Sequence, residues 1–190
     1  KYNSPIPPAH TRRSAMCSRP WNRGQRGECD CTQRLASLGP SEHTHDVNLP
    51  GKGIVNGFNG KKDQFITWYS FNNSVNPSTI YQYDIEKNIS TVYKESEAKF
   101  DRSKYTLSQK FYPSKDGTKI PIFIAHKKGL KMDGKRPTLL YGYGGFNVVE
   151  KPYFSKVNSI LLENEGVYAL ANLRGGGEYG QNWHEAGMLL

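Results

Sequence analysis

The sequence predicts a mixed β and α/β chain: a small antiparallel β unit, then the opening strands of a larger mixed sheet. Three observations carry this expectation. From Gly53 onward, short runs rich in β-branched and aromatic residues alternate with turn residues. From Tyr105 the order changes to hairpin, apolar run, helical period, apolar run. Both of those apolar runs end in glycine-rich stretches, Tyr141-Gly-Tyr-Gly-Gly-Phe146 and Asn172-Leu-Arg-Gly-Gly-Gly-Glu-Tyr-Gly180. There the backbone must turn sharply or come close to a bound group.

In the first unit the strand candidates are Gly53–Phe58, Gln64–Phe71, Ser78–Asp84 and Ser90–Lys94. They are separated by Asn59-Gly60, by Asn72-Asn73 with Pro77, and by Glu86-Lys87-Asn88. Four short antiparallel strands in about 45 residues is the size of one β-propeller blade, which alone leaves a face and an edge unburied. Next, Tyr105–Tyr112 and Lys119–His126 flank Ser114-Lys-Asp-Gly117, a hairpin signal in which Asp-Gly supplies the positive-φ turn. Thr138–Tyr143 is a continuous apolar run and reads as a buried strand. Tyr153–Glu165 places Phe154, Val157, Ile160 and Leu161 near helical spacing and stops at Gly166. Val167–Leu173 is a second buried strand, and Gln181–Leu190 begins a helix. The order matches the opening of an α/β-hydrolase sheet. The pattern thus reads as a unit the size of one β-propeller blade followed by the opening of an α/β-hydrolase sheet.

Composition narrows the function classes. With 36% hydrophobic and 12% aromatic residues the 190-residue chain can build a packed core. No apolar run is long enough for a membrane-spanning helix, and the start shows neither an initiator Met nor an apolar signal core. The chain stops inside a helical pattern at Met188-Leu-Leu190, so both ends read as cut from a longer protein. The net charge of +9 divides into +4 over residues 1–45 (seven Lys/Arg against three acids) and +5 over 46–190 (nineteen against fourteen). In the second part lysines and acids are interspersed, as on a solvated surface, which argues against a nucleic-acid stripe.

A compositional break falls near residue 45. Six of the nine arginines lie between Arg12 and Arg34, sixteen of the seventeen lysines lie after residue 45, and Cys17, Cys29 and Cys31 all precede it. Residues 1–45 read as a disordered or non-native segment, such as a misread frame or a fusion scar. Cys29-x-Cys31 with His43-x-His45 does not have the spacing of a standard zinc site, so no metal and no cofactor are expected. The cysteine-free remainder fits a reducing compartment, so the expected location is cytoplasmic, with periplasmic the alternative.

Pro137-Thr-Leu-Leu-Tyr-Gly-Tyr-Gly-Gly-Phe-Asn147 and Ala171-Asn-Leu-Arg-Gly-Gly-Gly-Glu-Tyr-Gly-Gln-Asn-Trp-His184 resemble the prolyl oligopeptidase family of serine peptidases. Lys110-Phe-Tyr-Pro-Ser-Lys-Asp-Gly-Thr-Lys-Ile-Pro-Ile-Phe-Ile124 is similar to the start of that family's hydrolase domain. Asp46-Val-Asn-Leu-Pro-Gly51 and Ser78-Thr-Ile-Tyr-Gln-Tyr-Asp84 resemble the last part of its seven-bladed propeller. The resemblance runs from about residue 46 to the end, and Tyr-Gly-Gly-Phe favours the post-proline enzymes over oligopeptidase B. It implies three regions: the segment 1–45, a partial propeller over 46–100, and the N-terminal part of the peptidase domain over 101–190.

The resemblance further implies an endopeptidase that cleaves short peptides after proline, with the propeller limiting access. Its serine would sit in a Gly-Gly-Ser-Asn-Gly-Gly elbow, followed by Asp and then His. No Gly-x-Ser-x-Gly occurs in this chain, so the chain alone is expected to be inactive. Tyr143 matches the oxyanion donor, whose partner is the backbone N–H after the nucleophile. Phe146 matches the residue lining the pocket for the proline ring, where apolar contact suits a ring without a donor. On the residues alone, Tyr143 and Phe146 could equally be core aromatics. His184 reads as a hydrogen-bonded structural histidine. Arg174, Gly175-Gly-Gly177 and Glu178 could cradle an anion, but the better reading has Arg174 and Glu178 fixing the loop by charge-assisted hydrogen bonds.

The expected partners are short proline-containing peptides, with no specific nucleic acid and no membrane. Two other readings remain open at this point. One is a non-catalytic interaction module using exposed strand edges. The other is an Arg-rich tail over Arg12–Arg34 with weak nucleic-acid binding.

Overall fold

The computed structural model describes residues 33–36, 44–61 and 63–188, with side chains from Val47 onward. The cysteines Cys17, Cys29 and Cys31, His43 and all but the end of the Arg-rich segment lie outside the described residues. The first described pairing is between β1 (Gln33–Ala36) and β2 (Thr44–Val47), an antiparallel two-stranded ladder. This ladder pairs backbone within part of the segment 1–45 that was expected to be disordered or non-native.

The blade is a four-stranded antiparallel sheet in chain order: β3 (Ile54–Gly57), β4 (Ile66–Asn73), β5 (Asn76–Asp84) and β6 (Ile89–Lys94). Alternation fixes its faces. Thr67, Tyr69 and Phe71 of β4 point inward, while Trp68 between them is exposed. Val47, Val55, Phe58, Tyr69, Phe71, Tyr81 and Tyr83 make one core on this face. Tyr69 stacks on Phe58 and Tyr81 at centroid distances of 4.6 and 5.1 Å.

The β4–β5 turn is tighter than the sequence suggests. Pro77, taken as a turn residue, stands second in β5, and β6 pairs with β5 only from Ile80 onward. The missing proline N–H therefore costs no ladder bond to β6. This turn reaches into the second unit. Val75 is buried with Tyr105, Ala125, Leu162, Tyr168 and Leu170, and Arg102 donates to Asn76 Oδ1 at 2.7 Å and to Glu95 Oε1 at 3.1 Å.

After a single 3-10 turn at Arg102–Lys104 come β7 (Tyr105–Pro113), β8 (Lys119–Lys127), β9 (Thr138–Gly142), helix α1 (Lys156–Glu163), β10 (Val167–Ala171) and helix α2 (Gln181–Glu185). The sheet order is β7-β8-β10-β9, with β10 antiparallel to β8 and parallel to β9. Because β7 is antiparallel to β8 as well, β7, β9 and β10 all run the same way. The connections that leave these three strands thus emerge at one end of the sheet. In open α/β sheets ligands bind at the carboxyl ends of the strands.

Two local expectations are corrected here. The run at Thr138–Tyr143 was expected to be buried, yet every residue of β9 is exposed, Leu140 at 65%. Among the described residues the strand has a partner on one side only, so within this chain its apolar run lies at an edge.

The stop of α1 differs too. Glu165, not Gly166, takes the left-handed conformation at φ 60°. Gly166 N–H donates to Leu161 C=O and Glu165 N–H to Leu162 C=O, the paired bonds of a Schellman cap. Gly166 is required for close approach: a Cβ there would come within 2.3 Å of Leu161 Cδ1. Ser155 caps the other end by accepting from Asn158 N–H.

Candidate active site

Two glycine-rich loops emerge side by side, one after β9 and one after β10, and the β7–β8 hairpin tip lies at the same end. The first, residues 142–149, is built on a tight turn in which Val148 N–H donates to Gly145 C=O at 3.0 Å. Its central residues Phe146 and Asn147 have φ of 52° and 56°, the left-handed pair that a type I′ turn demands. Asn tolerates that region, whereas a phenylalanine there carries strain of about 1–2 kcal/mol. Phe146 is also 87% exposed. Neither backbone preference nor burial accounts for an aromatic at this point, and such outliers concentrate at functional sites.

Tyr143 precedes the turn and is 40% exposed. Within this chain neither Tyr143 nor Phe146 is buried. The neighbouring Tyr141 is engaged: the Glu150 carboxylate beside it raises its phenol above the ordinary value by charge repulsion, with partial burial adding to the effect. For Tyr143 no hydrogen-bond partner is found among the described residues, which leaves its phenol available as a donor.

The second loop, residues 172–180, is the bed on which the first rests. Asn147 N–H donates to Gly175 C=O and Gly177 N–H to Val148 C=O, each at 3.1 Å. A Cβ on Gly175 would come within 2.4 Å of Gly144 O, and one on Gly144 within 2.5 Å of Arg174 O. These glycines permit backbone to lie on backbone. Glu178 Oε1 accepts from Glu150 N–H at 3.0 Å and from buried Asn172 Nδ2 at 3.1 Å, and Asn172 Nδ2 also donates to Glu150 C=O at 2.9 Å.

Arg174 reaches the other way. Nη1 donates to Asp116 Oδ2 and, at 3.5 Å, to Thr118 Oγ1, while Nη2 donates to Ser114 Oγ at 3.2 Å. Asp116 is held at a pKa of about 2, first by the Thr118 backbone N–H and then by the Arg174 guanidinium.

This arrangement removes the anion-cradle reading. The N–H groups of Gly175, Gly176 and Gly177 donate to Trp183, Leu173 and Val148 carbonyls, and Arg174 is paired with Asp116. His184 Nδ1 donates to Gly175 C=O at 2.6 Å, so this nitrogen ties α2 to the second loop. A cleft of about 390 Å³ is lined by Gly144, Gly145, Phe146, Gly175, His184, Gly187 and Met188. It brings Phe146 and His184 together; Tyr143 is not among its lining residues. No cluster of three or more His, Cys, Asp or Glu that could hold a metal ion occurs among the described residues.

The sequence did not reveal the part played by Ser114, Asp116 and Thr118. Asp116-Gly117 signals a turn, and nothing along the chain marks its link to an arginine 58 residues away.

The comparisons with known proteins agree with this architecture. A family model described as the prolyl oligopeptidase N-terminal β-propeller domain matches residues 27–96, and one for the prolyl oligopeptidase family matches residues 152–190. The propeller match begins well before residue 46, so the expectation that the likeness starts there is corrected. The prolyl endopeptidase of Elizabethkingia meningoseptica is 52% identical over 144 residues, covering 76% of this chain and 20% of that protein. A solved prolyl endopeptidase, studied for inter-domain dynamics in catalysis and specificity, superposes with a TM-score of 0.71 at 42% identity over 82% of this chain and 23% of its own. A post-proline cleaving enzyme from Rickettsia typhi superposes with a TM-score of 0.66 at 36% identity, covering 82% of this chain and 22% of that one. The chain thus spans about a fifth of the length of the curated relatives it matches. Among the described residues no helix is long and apolar enough to cross a membrane. Sequence motifs, sheet topology and these likenesses lead to one conclusion: the chain belongs to the prolyl oligopeptidase family of serine peptidases.

Proposed function

We propose that this chain supplies two working side chains, Tyr143 and Phe146, to a serine endopeptidase that cleaves short peptides after proline. The observation that carries the reading is Phe146, left-handed and 87% exposed at the tip of a turn three residues beyond Tyr143. An exposed aromatic face offers apolar contact to a proline ring, which has no N–H to satisfy. In the enzyme, a serine outside this chain attacks the carbonyl carbon of the proline residue, a histidine takes the serine's proton, and the carbonyl electron pair moves onto oxygen. The Tyr143 phenol donates a hydrogen bond to that oxyanion, alongside the backbone N–H after the serine. A donor of this kind contributes about 3 kcal/mol to the transition state. The expelled amine takes the proton, and water then releases the acyl group from the serine.

By itself the chain has no nucleophile elbow and is inactive. The test is hydrolysis of a chromogenic Gly-Pro peptide beside its Gly-Ala counterpart, by the 190-residue chain and by the full-length enzyme carrying it. The chain gives no turnover, and the full-length enzyme prefers proline. Hydrolysis by the chain that is stopped by a serine-directed inhibitor, or equal rates on the two peptides by the full-length enzyme, would contradict the reading.

A further inference from the structure

We propose that Arg174, clamped by the hairpin tip at Ser114, Asp116 and Thr118, is a positioning residue that sets where the loop carrying Tyr143 and Phe146 stands. The inference rests on the reading of Tyr143 as oxyanion donor. The geometry forms a chain of contacts with no slack. The guanidinium is anchored on the β7–β8 hairpin, which leaves the sheet at the same end as both glycine loops. At Gly144, the residue after Tyr143, the backbone carbonyl of Arg174 lies so close that a Cβ there would meet it at 2.5 Å. The next residue, Gly175, carries the carbonyl that accepts Asn147 N–H, one position beyond Phe146.

Three consecutive glycines, Gly175 to Gly177, follow Arg174. A segment with so little side chain is held only by its backbone hydrogen bonds and close packing, and an anchored neighbour adds a side-chain tether to them. As a stability element the pair is weak, since the Asp116 side chain is 47% exposed and solvent screens it. Its consequence is placement. A donor must meet the oxyanion within a few tenths of an ångström, and the planar guanidinium fork fixes direction as well as distance.

The test is a double-mutant cycle in the full-length enzyme carrying this segment, with Arg174→Met and Tyr143→Phe as the two single changes. Arg174→Met lowers kcat about tenfold, the scale of a sub-ångström misplacement, with an unchanged circular dichroism spectrum; Arg174→Lys recovers part of the loss. In the Tyr143→Phe background the effect of Arg174→Met shrinks to less than about twofold, because the donor it positions is gone. A normal Tyr143→Phe loss with an undiminished Arg174→Met effect would overturn the clamp alone. An unchanged kcat in Tyr143→Phe would overturn the oxyanion reading and this inference with it. Should Arg174→Met fail to fold, Asp116→Asn replaces it in the same cycle, leaving the arginine and its backbone intact, and the same outcomes decide.

Discussion

The two glycine-rich loops look alike in sequence and differ in what their glycines are for. In the loop after β10, a Cβ on Gly175, Gly176 or Gly177 would come within 2.4, 2.3 and 2.7 Å of a neighbouring atom. In the loop after β9, Gly144 is as confined, but Gly145 has nothing within 4 Å. The first loop's turn is made instead by two residues with side chains, Phe146 and Asn147, both left-handed. One loop supports and the other presents. Glycine content alone does not separate the two; the density of backbone around each position does.

The comparison breaks most visibly if a methyl group is added to each loop. Gly175→Ala must hold φ +94° with a Cβ 2.4 Å from Gly144 O, so it destabilises by about 2–4 kcal/mol in urea unfolding of the chain. The presenting loop should tolerate the matched change, with Gly145→Ala shifting stability by less than about 0.5 kcal/mol. Equal losses from both would show that the loops are not divided as described.

A smaller effect, with opposite signs in two assays, is expected at Phe146. Phe146→Asn relieves the left-handed strain and raises stability by about 1 kcal/mol, while raising KM for a proline peptide in the full-length enzyme. Stability and recognition falling together would mean that Phe146 serves the fold instead. The exposed edge next to this loop gives a milder prediction. Leu140→Lys places a charge on β9 and should reduce self-association of the chain on gel filtration. An unaltered elution profile from an associating chain would place the sticky surface elsewhere.

The smallest effect concerns pH. The Asp116 value of about 2 in the folded chain lies below the ordinary carboxylate range, so its contribution is present above that range and lost as pH falls toward about 2. The pair is largely solvent-facing. Unfolding midpoints of the chain and of Asp116→Asn should therefore differ slightly near neutral pH and converge in strong acid. A gap that widened on acidification would contradict the pairing with Arg174.

Much of this was legible along the chain because the signals are local. The strand run ending at Phe71, with Thr67 and Tyr69 inside it, and the Asp116-Gly117 turn each depend on neighbours within a few residues. What escaped depends on partners far away. The apolar run of β9 gave no sign that it would lie at a sheet edge, and the Arg174–Asp116 contact spans 58 residues. Gly166 illustrates a third kind. Its presence marked the helix stop, but its reason is the Leu161 side chain packed against it, with Glu165 taking the turn. At the site, the motifs drew attention to Tyr143 and Phe146, and the structure adds that both are exposed in this chain.

The division into a supporting and a presenting loop is tested most directly by separating kcat from KM in the full-length enzyme, with Tyr143→Phe and Phe146→Ala measured side by side on a proline peptide. Tyr143→Phe is expected to lower kcat by about 10²–10³-fold with KM nearly unchanged, and Phe146→Ala to act mainly through KM. Full kcat in Tyr143→Phe, or an unchanged KM in Phe146→Ala, would contradict the account.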